Sequence, residues 1–109
     1  MIRVIIESPY SGDVGRNTRY SKACMRDSLN RGEAPLASHL LYTQEGVLND
    51  SVEKERALGM SAGFTWGETA SICAVYIDLG LSEGMKKGIE VASRMRIPIE
   101  FRTLGDKWE

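Results

Sequence analysis

A short β-branched run, Ile2, Val4, Ile5 and Ile6, breaks at once into the polar, turn-rich segment Ser8-Pro9-Tyr10-Ser11-Gly12-Asp13. An apolar stretch of that length, bounded by turn residues, reads as a buried parallel strand. In open α/β sheets ligands bind just outside the carboxyl ends of the strands, where the strand order reverses. The loop after this first strand is therefore the prime site candidate.

The 109 residues suffice for one domain, 1–109, with a single core. With 42% hydrophobic and 27% charged residues, the composition is that of an ordinary globular protein. Fourteen basic residues against fifteen acidic ones leave a net charge of −1, so the whole chain makes no electrostatic case for nucleic acid. No apolar run approaches the ~18 residues that span a bilayer. Neither a membrane nor a nucleic acid is an expected partner. Cys24 and Cys73 fall in packed elements and read as buried thiols in a reducing compartment, which with the lack of a visible signal peptide gives a cytoplasmic expectation.

The first helix is expected from Asp13 or Val14 to Asn30, capped by Ser11 or Asp13 and ended by Gly32. Arg16 sits in its first turn, where a cation opposes the helix dipole. That conflict is eased by an anion, either a ligand or a carboxylate of the protein. Ala34 to Ser38 reads as the second strand, followed by the lone histidine, His39. A single imidazole without cysteine spacing does not make a metal site.

Asp50-Ser51-Val52-Glu53 resembles a capping box, opening a helix that runs toward Trp66. Gly59, Gly63 and Gly67 are spaced by four along it, a face suited to close backbone approach and to self-association. Ser71 to Ile77 is the most strand-like stretch, and Asp78 to Met85 is a second polar loop at a strand end. Ser82 caps the next helix, whose early amides suit a phosphate. Arg94 and Arg96 load its last turn, and Ile97 to Phe101 forms a fourth strand that Pro98 places at an edge. The tail from Arg102 to Glu109 carries Trp108, expected to dock on its own body or on another subunit.

The elements give β-α-β-α-β-α-β. Right-handed crossovers then predict a three-layer, Rossmann-like α/β fold, a four-stranded parallel sheet ordered 2-1-3-4 with helices on both faces. Strands one and three become neighbours, and their two loops flank one crevice. From the first loop and helix the candidate ligand-binding residues are Ser8, Tyr10, Gly12, Asp13, Arg16 and Asn17. His39 joins them from the end of the second strand. Asp78, Ser82, Gly84 and Met85 come from the second loop. Ser-Gly-Asp-Val-Gly matches neither the dinucleotide fingerprint nor the P-loop. No serine-hydrolase elbow, Cys-His pair or redox motif is present, and no cofactor is implied. Asp13, Glu55, Glu68 and Asp78 are the carboxylates available for chemistry.

The stretches Ile5 to Asp13 (IIESPYSGD), Glu55 to Gly59 (ERALG) and Val75 to Ala92 (VYIDLGLSEGMKKGIEVA), followed by RIPI, resemble the nucleoside 2-deoxyribosyltransferase-like superfamily, in particular its small bacterial and phage domains. The resemblance implies that Tyr10 is the tyrosine after the first strand and that Asp78, or the loop behind it, is the sugar-contacting acidic region. It places the nucleophilic glutamate two residues before a helix glycine. Counted from Gly88, that position holds Lys86, which cannot form a glycosyl ester. The implied function is non-catalytic binding of a nucleotide or ADP-ribose-like molecule, as in a phage protein that sequesters a host immune signalling nucleotide. The alternative is a nucleoside or nucleotide N-glycosidase, or a deoxyribosyltransferase-type enzyme, using Glu55 or Asp78. A homo-oligomer is expected, through the Gly59/Gly63/Gly67 helix and Trp66 or Trp108.

Overall fold

The first strand, β1 (Arg3–Glu7), sends Val4 and Ile6 to one side of the sheet and Ile5 and Glu7 to the other. The computed structural model describes residues 1–109. After β1 come α1 (Val14–Asn30), β2 (Ala34–Leu36), α2 (Ser38–Tyr42), α3 (Glu53–Gly67), β3 (Ile72–Tyr76), α4 (Glu83–Arg94) and β4 (Ile99–Arg102). All strand pairs are parallel and the order is β2-β1-β3-β4, the predicted α/β topology.

Two cores follow from the alternation. On one face Val4, Ile6, Ala74 and Tyr76 pack with Tyr20 and Cys24 of α1. On the other, Cys73 and Val75 pack with Met85 and Ala92 of α4. Burying a large apolar side chain contributes about 1.5–3 kcal/mol, so these clusters hold the layers together. Both cysteines are free and buried. No helix is long and apolar enough to cross a membrane.

The local expectations hold in part. Asp13 caps α1, accepting from Arg16 N at 3.2 Å, and Gly32 takes a φ of +79° just past its end. Ser82 caps α4, accepting from Met85 N at 3.2 Å. The second strand is shorter than expected. Pro35 lacks a donor, and after Leu36 the chain turns into the brief helix α2, so His39 is helical. Asp50 does not cap α3, which starts from Val52 with no side-chain cap. Instead Asn49 forms an Asx turn with Ser51, and its own amide donates to Glu55 Oε1 at 3.1 Å. Arg96 lies beyond α4 rather than in its last turn, with a φ of +59°.

The glycine face of α3 is used within the protomer. Gly63 lies against Ser38, and Cβ positions on Gly59 and Gly67 would be 3.2 and 3.5 Å from Leu48 and Ile5. The close approach that the glycine spacing allows is thus made by Ser38, Leu48 and Ile5 of the same chain. Trp108 docks on its own Tyr20, the ring centroids 4.9 Å apart in an edge arrangement. Trp66 stays exposed, its indole N–H donating to the Tyr42 hydroxyl at 2.8 Å.

Candidate functional site

The tips of β1 and β3 meet, as the topology requires, and a cleft of about 110 Å³ opens beside them on the α3–α4 face. Ser8, Tyr10, His39, Ser82, Gly84 and Met85 line it, so six of the sequence-predicted residues come together. Ser82, Gly84 and Met85 enter through the start of α4, Ser8 and Tyr10 through the loop after β1. His39 arrives from α2, its ring 5.4 Å from that of Tyr10.

Ser8 is buried and orients the centre of this group. Its hydroxyl donates to Ser21 Oγ at 3.1 Å and lies 3.2 Å from His39 Nε2. Nδ1 of His39 is buried without a partner. Burial holds the imidazole below its ordinary pKa, against contributions from Ser8 and Asp50 that raise it, so the ring is neutral at pH 7.

The other five candidates stand elsewhere. Gly12 faces a broad open groove next to the cleft. Asp13 is the cap of α1. Asn17 is structural, donating its amide to the carbonyls of Tyr10 and Ser11 at 2.9 and 3.1 Å and so fixing the loop that carries the tyrosine. Arg16 pairs with Glu109 at 3.2 Å and lies 5.6 Å from the Trp108 ring centre. The protein's own carboxylate at Glu109 thus eases its place in the first turn.

Asp78 is the anchor of the C-terminal tail. Tyr20 donates its hydroxyl to Asp78 Oδ1 at 2.5 Å, and the amides of Leu104 and Gly105 donate to the carboxylate at 2.9 to 3.1 Å. Burial works against the charge, but these donors outweigh it and hold the carboxyl below its ordinary range. With its oxygens turned to the tail, Asp78 is not a cleft residue.

The residue that sequence reasoning missed is Glu7. It ends β1 on the cleft side and lines the cleft. Facing it on α4 is Gly88, where a Cβ would come within 2.7 Å of the Glu7 carboxyl oxygens. Only a hydrogen at this position of α4 leaves the carboxyl its space. No hydrogen bond or ion pair supports Glu7, and burial alone raises it to about 8. An uncompensated carboxyl in a cleft is the usual mark of a functional group. The signal in the sequence was the single acid closing the run Ile5-Ile6-Glu7. Asp50 and Arg56 also reach the cleft, and Arg56 is its only cation. Lys86 does not face it; the side chain is exposed and pairs with Glu83 at 3.2 Å. Gly88 is among the α4 positions that do face the cleft, and the site's acid comes from β1.

The adjoining groove is acidic, lined by Glu45, Asp50, Glu53 and Glu55 against Arg56. The cleft thus offers hydroxyls, an aromatic pair, a neutral imidazole and one half-buried, unpaired acid, with positive potential limited to Arg56 and the α4 amides.

Residues 2–102 match the model of a protein family described as Domain of unknown function (DUF7768). The chain belongs to this family. The match covers every strand and helix of the DUF7768 chain, the cleft included, and leaves only Met1 and the tail from Thr103 onward outside. No curated protein matches the chain.

Proposed function

We propose that this DUF7768 protein binds a small molecule built on a nucleoside, a nucleotide or ADP-ribose-like compound, in the cleft at the tips of β1 and β3. The observation that carries the reading is the convergence of Tyr10, His39 and the hydroxyls of Ser8 and Ser82 on one cavity at the switch point of a parallel sheet. The aromatic pair suits a base or sugar face. The hydroxyls suit ribose, and the Ser82-capped start of α4 with Arg56 suits a phosphate. A protein that binds without turnover acts by lowering the free concentration of its ligand. Thermal denaturation against a panel of nucleosides, nucleotides and ADP-ribose is the test, because a ligand of the folded state must raise the melting temperature. No shift with any compound would overturn the reading.

A second reading, cleavage of the N-glycosidic bond, is favoured by Glu7 itself. The two acids that the sequence offers for it do not serve: Asp78 holds the tail, and Glu55 accepts from Asn49 N in the loop before α3. A carboxyl raised to about 8 holds its proton at pH 7 and suits a general acid. In that reading Glu7 protonates the leaving base, water adds to the anomeric carbon, and the proton of that water returns to Glu7. Release of free base from nucleosides or nucleotides incubated with the purified protein, absent in Glu7→Gln, separates this reading from simple binding.

A further inference from the structure

The half-buried Glu7 carboxyl lies against Gly88 of α4 and opens onto the cleft. Behind it runs the sheet, with Cys73 of β3 as a titratable neighbour; its thiol is raised to about 12, burial acting first and Glu7 second, and stays uncharged. Above it α4 presents Gly88 and no charge. The charged residues of α4 are occupied on its solvent side, where Lys86 pairs with Glu83, and Glu90 is shared by Lys87 and Arg94. From α2 comes neutral His39, and from the loop after β1 comes Tyr10. Asp50 and Arg56, from the loop before α3 and from α3 itself, complete the titratable lining. Arg56 forms no ion pair with Glu7. Apolar side chains of Ile5, Phe64, Met85 and Val91 line the same cleft. Whatever reaches the carboxyl through the cleft meets two oxygens that no other group of the protein uses.

Resting on the reading that the cleft takes a nucleoside-based molecule, we propose that Glu7 recognises the base as a neutral acid. One oxygen donates and the other accepts, so the ligand presents a hydrogen-bond acceptor beside a donor, as the N1/N6 edge of adenine or the N3/N4 edge of cytosine does. The geometry fits this pairing. The two coplanar oxygens form one edge, no group of the protein claims either of them, and no cation stands against them to hold a carboxylate. Burial supports it by keeping the proton on Glu7 up to about pH 8. An ionised Glu7 would offer two acceptors and leave the acceptor of such an edge facing negative charge. Binding is therefore tied to one proton.

The test is calorimetric titration of adenosine, cytidine and ADP-ribose between pH 5.5 and 9.5, on the wild type, Glu7→Gln and Glu7→Ala, with circular dichroism to verify folding. The wild type is expected to bind with constant affinity below about pH 7.5 and to lose about tenfold per pH unit above pH 8. Glu7→Gln, which keeps a donor and an acceptor but cannot titrate, should bind with the low-pH affinity at every pH. Glu7→Ala should lose tenfold or more. If the wild type binds with no break in pH and Glu7→Gln does not bind, the inference falls while the ligand class stands. If no probe binds the wild type at any pH, the proposed ligand class falls, and this inference with it.

Discussion

Gly88 and Glu7 fit together as a pair: the space that a side chain on α4 would take is filled by the carboxyl of β1. The relation joins two layers of the fold and sets the chemical character of the cleft. It also makes Gly88 as necessary to the site as the acid.

Gly88→Ala is accordingly expected to push Glu7 from its place. A Cβ inside contact distance is tolerated only if the carboxyl moves, since Gly88 is buried within α4. Overpacking of this kind costs about 1–3 kcal/mol, partly recovered through alanine's better helix propensity. Chemical denaturation should show that modest loss, and ligand-induced stabilisation should vanish. Full ligand response in Gly88→Ala would detach the glycine from the site.

Glu7→Gln should stabilise the free protein in a pH-dependent way. In the folded state Glu7 titrates at about 8 against an ordinary 4.5, so the native protein holds a proton that the unfolded chain releases. Stability from this group is whole below pH 4.5 and is lost progressively as pH rises through 8. A tenfold difference in proton affinity between the folded and unfolded chain corresponds to about 1.4 kcal/mol. Allowing for relaxation of the site, the variant should gain roughly 2 kcal/mol or more at pH 8, with no gain at pH 4. Denaturation midpoints at the two pH values check it. Equal stability of the two proteins at pH 8 would show that Glu7 has a partner.

Asp78→Asn should loosen the tail. The carboxylate ties Tyr20 to the amides of Leu104 and Gly105, and its folded-state pKa lies below the ordinary value. Its contribution is therefore present above about pH 4 and disappears as pH falls through the depressed value. A neutral amide there misdirects a donor toward the two backbone amides, at a cost of about 1–3 kcal/mol. Because Trp108 packs on Tyr20, its fluorescence should shift to the red and become more accessible to quenchers. An unchanged spectrum would mean that Trp108 is held independently of Asp78.

Arg16→Ala should leave ligand affinity unchanged and cost little stability. The side chain and its partner Glu109 are each about half exposed, at 46% and 53%, where an ion pair is worth less than about 1 kcal/mol. Loss of ligand binding in this variant, measured by the same thermal denaturation, would restore Arg16 to the site.

From the sequence alone came the parallel sheet, its order and the two loops that meet at the cleft. Those rest on local patterns: a β-branched run, a proline, a capping serine, glycines at element ends. Placing Ser8, Tyr10 and Ser82 in one cavity followed from the same topology. The direction of individual side chains was settled only by packing. Arg16 turned to Glu109 and Asp78 to Tyr20 because the tail folds back over the first core, a contact 93 residues apart in the first case and 58 in the second. Glu7 stands out only against Gly88, whose missing side chain gives the carboxyl room from a distant part of the chain. Patterns along the chain fix which backbone segments exist and how they stack. Which polar group is left unpaired depends on what stands opposite, and that partner comes from a distant part of the chain.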